Sequence, residues 1–356
     1  MRSDLLVSVD IVIKPVLISA PILNVETINI TANDSVTTGS VAAINTATLS
    51  AVALTTLTVA GNNGLTLTNT TEVSVTSFDA SGVVANNVAN SANLAATIDT
   101  LANLAVAYTS ANLTTTANVS ITGGAGNDIL TGAAAKDTIN GGGGADIISG
   151  LAGTDIISGG AGADTITYTN EVGVADTMTG GAGSDIYTMA NTTAATQTAH
   201  TITDINFGTS TTLVDKLNID ISATEGLTVV TDLVGTDAIS TANTNGTVVA
   251  LGTDGATITA ADLVVIDTVT YAGTTEMLAG LKTAGASTIN YSGTLQNNDA
   301  YYIAYSDGTD GYLAVVSDTG GGTSEGADSV TTMVKLTGIS LADLDTLDST
   351  DFFALA

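Results

Sequence analysis

The chain has 356 residues, enough for about two or three domains, and sets 35 acidic residues against 6 basic ones for a net charge of −29. That field repels nucleic acid and anionic membrane, both of which are bound through Lys and Arg clusters, and it attracts cations. Cys and Trp are absent and aromatics make up 4%, so disulfide frameworks and thiolate metal sites are excluded and a large aromatic-lined pocket is disfavoured.

The opening stretch, MRSDLLVSVDIVIKPVLISAP, is apolar but interrupted by Asp4, Asp10 and Lys14. It lacks a clear small-x-small cleavage site, so residues 1–21 read as an N-terminal extension rather than a secretory leader. No run approaches the roughly 18 apolar residues of a spanning helix, and direct membrane insertion is not expected.

Residues 22–122 carry short runs in which apolar residues alternate with Thr, Ser or Asn: VETINI, LTTLTV, LTLTN, VSVTSF and NVSIT. That is the period of a half-buried strand. Leu57, Leu65 and Val73 fall eight residues apart, with Gly61–Gly64 punctuating the first gap. Short strands at short spacing predict the stacked rungs of a parallel β-solenoid, with an antiparallel sandwich as the alternative. Ala92–Ala111 breaks the pattern and reads as a lateral helix or a long loop.

From residue 123 an aspartate recurs every nine residues, at Asp128, Asp137, Asp146, Asp155 and Asp164, then again at Asp176 and Asp185. Aligned on the aspartate, the units read GGAGNDILT, GAAAKDTIN, GGGGADIIS, GLAGTDIIS and GGAGADTIT, with GGAGSDIYT at 180–188. This is the G-G-x-G-x-D-x-U-x pattern of a parallel β-roll. Glycines permit the tight φ > 0 turns and bring backbone carbonyls to a focus. The aspartates add hard anionic oxygens, and Ca²⁺ takes six to eight oxygens. The candidate metal ligands are therefore the seven aspartates, together with the carbonyls of Gly124, Gly126, Gly142, Gly144, Gly160, Gly162, Gly181 and Gly183. The expected cofactor is multiple Ca²⁺. Leu130, Ile139, Ile148, Ile157, Ile166 and Tyr187 occupy the U positions and fill a core expected to be too narrow for aromatics. Two nonapeptides make one coil, which puts Asp128, Asp146 and Asp164 on one edge and Asp137 and Asp155 on the other. GAAAKDTIN lacks most glycines and adds Lys136, so its site is expected to be weaker. Residues 123–190 are thus assigned to the roll.

The nonapeptides resemble those of the RTX (repeats-in-toxin) family, the hemolysin-type calcium-binding repeats exported by type I secretion. TITDINFG (Thr201–Gly208) and DKLNID (Asp215–Asp220) resemble the segment that closes such rolls. VETINI, TVAGNNGLTLTNT and VTSFDASG before the repeats, and DGYLAVVSD with GADSVTTMVKLTGI after them, are similar to the lattice-forming region of Caulobacter-type surface-layer (S-layer) proteins. The first twenty residues depart from that family, and its separate lipopolysaccharide-anchoring domain has no counterpart here. The resemblance implies an all-β protein in which a solenoid leads into a calcium β-roll and then a smaller β-rich C-terminal domain, residues 191–356, with short helices. It implies a structural, non-enzymatic cell-surface protein of a Gram-negative bacterium that self-assembles through hexameric units into a two-dimensional lattice. A C-terminal signal for the type I machinery would fall in SLADLDTLDSTDFFALA, where Asp351 precedes Phe352 and Phe353. A secreted RTX adhesin or matrix fibre is the alternative.

Elsewhere, Thr275–Gly285 reads as a short helix and Tyr301–Asp318 as a hairpin turning at Asp307–Gly311. Tyr301, Tyr302, Tyr305 and Tyr312 form either an interface patch or internal packing. His200 is the sole histidine and no H-E-x-x-H occurs, which excludes the zinc-protease arrangement. GTSEG (Gly322–Gly326) matches G-x-S-x-G formally, but His200 precedes Ser324 and a Gly-rich loop surrounds it, unlike a nucleophile elbow.

Overall fold

A computed structural model describes residues 8–13, 25–33, 44–49, 53–69, 74–85, 101–112, 114–169, 173–190, 198–207, 214–220, 228–229, 248–250, 257–258, 263–281, 290–291, 299–317, 329–344 and 352–355. The chain divides into two compact units: residues 1–167 with 180–185, and residues 168–179 with 186–356.

The first unit is a two-faced parallel solenoid. Its strands in chain order are β1 (Ser8–Ile13), β2 (Thr27–Ala32), β3 (Asn45–Leu49), β4 (Thr56–Gly61), β5 (Leu65–Asn69), β6 (Ser77–Val83), β7 (Val106–Thr109), β8 (Ser120–Thr122), β9 (Ile129–Ala133), β10 (Thr138–Gly143), β11 (Ile147–Leu151), β12 (Ile156–Ala161) and β13 (Thr165–Thr169). One face stacks β1-β2-β4-β6-β8-β10-β12 and the other β3-β5-β7-β9-β11-β13. Pairing within these faces is parallel, for example Thr27 with Thr56 and Ile147 with Ile129, and the β4–β6 pair shifts register between Thr58 and Ala60. Alternation in the sequence becomes alternation in space. Ile28, Ile30, Leu57, Val59, Leu65 and Val106 point inward and are at most 2% exposed, while Thr, Ser and Asn point outward, where β-branched residues suit a pleated surface.

The coil length changes along the unit. Thr58 bonds Asn29, 29 residues away, and Thr76 bonds Thr55, 21 away. Ser77 then pairs with Ser120 across the longest excursion, before the step settles at 18 between Asp128 and Asp146. Where the coils are long the interior accepts rings: Phe78 and Tyr108 stack with centroids 4.0 Å apart. The roll keeps aliphatic U residues at Leu130, Ile139, Ile148, Ile157 and Ile166, all buried. The expected helix or loop over Ala92–Ala111 is corrected in its described half. Residues 101–104 form turns and Val106–Thr109 is the inner strand β7, its alternation supplied by Val106 and Tyr108 pointing inward. Val73 lies outside the described residues.

The second unit contains β14 (Thr177–Ala182, through Thr179), β15 (Ile186–Ala190), β16 (His200–Ile202), β17 (Lys216–Asp220), β18 (Thr228–Val229), β19 (Val248–Ala250), β20 (Thr257–Ile258), β21 (Leu263–Thr270), α1 (Thr274–Leu281), β22 (Asn290–Tyr291), β23 (Asp299–Ser306), β24 (Gly311–Ser317), β25 (Ser329–Leu336), α2 (Leu341–Leu344) and β26 (Phe352–Leu355). Parallel stacking continues through β14-β16-β25 and β15-β17-β26, and β23-β24-β25 form an antiparallel meander. Tyr168 and Tyr187 are fully buried here. Rings therefore enter the interior here too, contrary to the expectation of a core too narrow for them.

The β23–β24 hairpin turns where the sequence places it. Asp307 Oδ1 accepts the N–H groups of Thr309 and Asp310, both at 2.8 Å, and Asp310 pairs with Lys335 at 2.7 Å. Tyr302 and Tyr305 are buried, and Tyr305 stacks on Tyr312 at 5.1 Å. These three tyrosines serve internal packing rather than an interface; the side chain of Tyr301 lies outside the described residues. Near the C-terminus Phe352–Leu355 is a strand paired parallel with β17. GTSEG, with Ser324, lies outside the described residues.

Candidate metal centre

Each aspartate of the repeat sits one residue before a strand, at the corner where the coil turns inward, so its side chain lies beneath the turn. All seven are buried, between 0% and 2% exposed. On one edge they are chained through the backbone. The N–H of Asp128 donates to Asp146 Oδ1 at 2.7 Å, that of Asp146 to Asp164 Oδ1 at 2.8 Å, and that of Asp164 to Asp185 Oδ1 at 2.9 Å. On the other edge the N–H of Asp137 donates to Asp155 Oδ1 at 2.8 Å. The ladders begin where the solenoid's own corner residues, Val106 and Val119, donate their N–H groups to Asp128 and Asp137.

The second carboxylate oxygen distinguishes the rungs. Asp128 Oδ2 accepts from Gly124 N–H and Asp137 Oδ2 from Ala133 N–H, both at 2.6 Å. Asp146 Oδ2 and Asp164 Oδ2 are buried with no hydrogen-bond partner. A buried, unsatisfied anionic oxygen costs free energy unless a cation or proton meets it. The electrostatics agree. Burial pushes Asp146 up to about 7, with the charges of Asp128 and Asp164 adding to it and the N–H of Asp128 opposing. Burial pushes Asp128 up to about 6 against the N–H groups of Gly124 and Val106. Burial also raises Asp137 and Asp164.

The glycines complete the cradle. A Cβ on Gly141 would collide with Asp146 Oδ2 and with the carbonyl oxygen of Gly159, and one on Gly159 with Asp164 Oδ2 and the carbonyl of Gly180. Carboxylate and carbonyl oxygens thus converge on space that only a glycine leaves open. These carbonyls come from the first glycine of each nonapeptide, a position that sequence reasoning did not single out. The carbonyls of Gly124, Gly126, Gly142, Gly144, Gly160 and Gly162 face the glycine of the next coil (Gly142, Gly144, Gly160, Gly162, Gly181 and Gly183 respectively). Those six receiving glycines all have positive φ, between 100° and 152°. At the equivalent position of GLAGTDIIS, Leu151 is forced to φ 65°, a conformation costing a non-glycine residue roughly 1–2 kcal/mol.

Among the described residues no three Asp, Glu or His side chains meet at one point. Each ion must therefore draw most of its oxygens from the backbone, which suits Ca²⁺ with its tolerance of carbonyl ligands and irregular shells. The donor set is all oxygen, hard and anionic, and leaves buried carboxylate oxygens unmet, Asp146 Oδ2 and Asp164 Oδ2 among them: these residues fit calcium.

One ladder residue was missed in the sequence. The N–H of Asp176 donates to His200 Nδ1 at 3.1 Å, and Asp176 Oδ2 lies 3.3 Å from the same nitrogen. His200 is fully buried, first in β16, with its ring 4.9 Å from that of Tyr168. It occupies the corner where the other rungs carry Asp, but 24 residues on rather than 18. Asp215 likewise sits one residue before a strand and accepts the Asn206 N–H through Oδ2 at 2.8 Å. Lys136 is exposed, while the Asp137 that it precedes is buried.

The geometry defines a calcium-binding parallel β-roll. Comparison with known families agrees: four copies of the RTX calcium-binding nonapeptide repeat match residues 114–139, 132–166 and 175–188, spans that include all seven aspartates. Proteins with such repeats bind several Ca²⁺ ions, as this chain does, and are generally extracellular. No curated protein matches the chain at a significant level. No helix among the described residues is long and apolar enough to cross a membrane.

Proposed function

We propose that this is a structural, non-enzymatic protein of the bacterial cell surface that folds on calcium and assembles with its own copies into a two-dimensional S-layer lattice. Export would run through type I secretion, guided by the segment ending in Asp351, Phe352 and Phe353. In this reading Asp128, Asp146, Asp164 and Asp185 hold calcium along one edge and Asp137 and Asp155 along the other, with glycine carbonyls completing each shell and Asp176 serving as a further ligand.

The observation that carries the reading is the set of buried, unmet carboxylate oxygens, including those of Asp146 and Asp164. They make the roll depend on a cation, and the net charge of −29 makes side-by-side packing depend on one too. Monovalent salt only screens, over about 8–10 Å, whereas calcium removes charge from the roll and bridges carboxylates between neighbours. Light scattering of the pure protein during a calcium titration, followed by negative-stain imaging, tests the proposal. Ordered sheets with calcium, and none in sodium chloride of matched ionic strength, are expected. Magnesium is expected to substitute poorly because it keeps its waters and demands a small octahedral shell. Fibres would favour the adhesin or matrix reading, and calcium-loaded protein that stays monomeric at high concentration would end the lattice reading.

A further inference from the structure

We infer that the solenoid face built from β3, β5, β7, β9, β11 and β13 is a self-association surface that takes a second copy of this chain; the inference rests on the lattice reading above. The strands NTATL, LTLTN, VAYT, ILTGA, IISGL and TITYT contain no Asp, Glu, Lys or Arg. Their outward residues form two straight columns, because these strands pair parallel and in register. One column runs Thr48, Thr68, Thr109, Thr131, Ser149 and Thr167. At the centre of the other, Ile129 and Ile147 are direct register partners and stand 49% and 53% exposed. Leu151, at the far end of β11, is 41% exposed. The opposite face differs: Asp79 interrupts it, Asn29 and Asn140 stand in its outward columns, and among the described side chains of its strands one large aliphatic residue is exposed, Ile156 at 45%.

Charge selects the occupant. A chain of net charge −29 repels a copy of itself wherever carboxylates meet. The β3–β13 face is the part of the first unit's described surface where two copies meet with no charge on either side and apolar groups at the centre. Two identical patches around a two-fold axis are self-complementary by construction. Six rungs at about 4.8 Å and strands of about 17 Å give roughly 400 Å² per copy, around half the area of a standard stable interface. Such a contact is too small to hold a dimer alone, but it adds up when each copy is also held by other neighbours.

The test uses the full chain with calcium. Ile129→Asp/Ile147→Asp and Ile129→Lys/Ile147→Lys both place charge at the centre of the face without touching the core. Each is expected to fold on calcium as the parent does, by circular dichroism, and to need at least about tenfold more protein to assemble. The lysine pair lowers the net negative charge, so a general charge effect would make it assemble more readily; impairment of both pairs is what the face requires. Thr138→Asp/Asn140→Asp, on the opposite face, is expected to assemble at parental concentration. Because the chain has no Cys, Ser149→Cys also reports the face by maleimide labelling, and its labelling is expected to slow at least about tenfold on assembly. Parental assembly of either isoleucine variant, or equal labelling of Ser149→Cys in monomer and assembly, overturns the inference while leaving the lattice reading intact. A parent that never assembles with calcium instead fails the lattice reading itself.

Discussion

Replacing Asp146 with Asn separates a cation ligand from a carboxylate that merely accepts a hydrogen bond. The amide carbonyl of Asn takes over the Oδ1 role and keeps the bond from the Asp128 N–H at 2.7 Å. The amide nitrogen takes the place of Oδ2, which has no partner and faces the Gly159 carbonyl across the Gly141 cradle. Without calcium the change is a gain. Asp146 is held near 7 in the folded chain against 3.8 unfolded, so its contribution is fully present below pH 3.8 and is lost as pH rises through about 7. At pH 8 the ionised group costs at most about 4 kcal/mol, at 1.36 kcal/mol per pKa unit. Water reaching the corner and relaxation of the turn reduce this to roughly 1–3 kcal/mol. In chelator at pH 8 Asp146→Asn is therefore expected to melt several degrees higher than the parent, at about 2–4 °C per kcal/mol. At pH 5 the advantage shrinks to roughly a third, because Asp146 is then neutral in the folded parent and only the proton taken up from its ionised unfolded form still counts. With calcium the gain is offset: one anionic ligand is lost and affinity falls by at least about tenfold, which removes roughly 1.4 kcal/mol or more at saturating calcium. Melting curves at pH 5 and pH 8, with chelator and with calcium, give all four values. A variant that is neutral in every condition, or less stable than the parent in chelator at pH 8, would refute the reasoning.

Three other outcomes follow from the same geometry. In chelator the roll is expected to gain stability on acidification from pH 7.5 to 5, since Asp128 and Asp146 bind protons more tightly folded than unfolded. Calcium affinity is expected to fall over the same range, and calorimetry at each pH checks both slopes. A calcium titration followed by circular dichroism is expected to show the roll forming with dissociation constants of ~10⁻⁴–10⁻³ M, as in other extracellular modules; an unchanged spectrum would contradict a cation-dependent roll. Leu151→Gly is expected to raise stability by about 1 kcal/mol by relieving φ 65° at an exposed site, whereas Gly162→Ala, at φ 137° against the Gly144 carbonyl, is expected to lower it by at least about as much, both by thermal melts.

The aspartate ladder was legible because its coil is a sequence repeat: nine residues per strand and corner fix the register without any knowledge of contacts. The upstream rungs were legible only as strands. Coils of 29 and 21 residues, and the long excursion from Ser77 to Ser120, share no period, so pairing there is decided by which apolar rows meet inside. β7 was missed for that reason, since it follows a long insertion and presents only Val106 and Tyr108 inward. His200 was hidden by the same effect. The coil that brings it under Asp176 is 24 residues long, and a histidine at an aspartate corner breaks the letter pattern while keeping the acceptor. The first glycine of each unit drew no special notice because turns explain the other glycines; its role as open space beside Oδ2 requires the neighbouring coil.

The uneven coil lengths also set an order of events. Closing a coil costs chain entropy that grows by about 0.6 kcal/mol with each doubling of length, and the excursion between Ser77 and Ser120 is more than twice the 18-residue step of the roll. The roll is therefore expected to close first among the parallel coils, once its carboxylates have met a cation. Its first rungs then offer finished strand edges, β8 and β9, on which the costlier upstream coils are laid one at a time. Calcium thus acts as a starting signal with a direction, and zipping runs from the repeats back towards β2. Pulsed hydrogen exchange after calcium addition would read the sequence directly, with amides of β9–β12 protected before those of β2–β6.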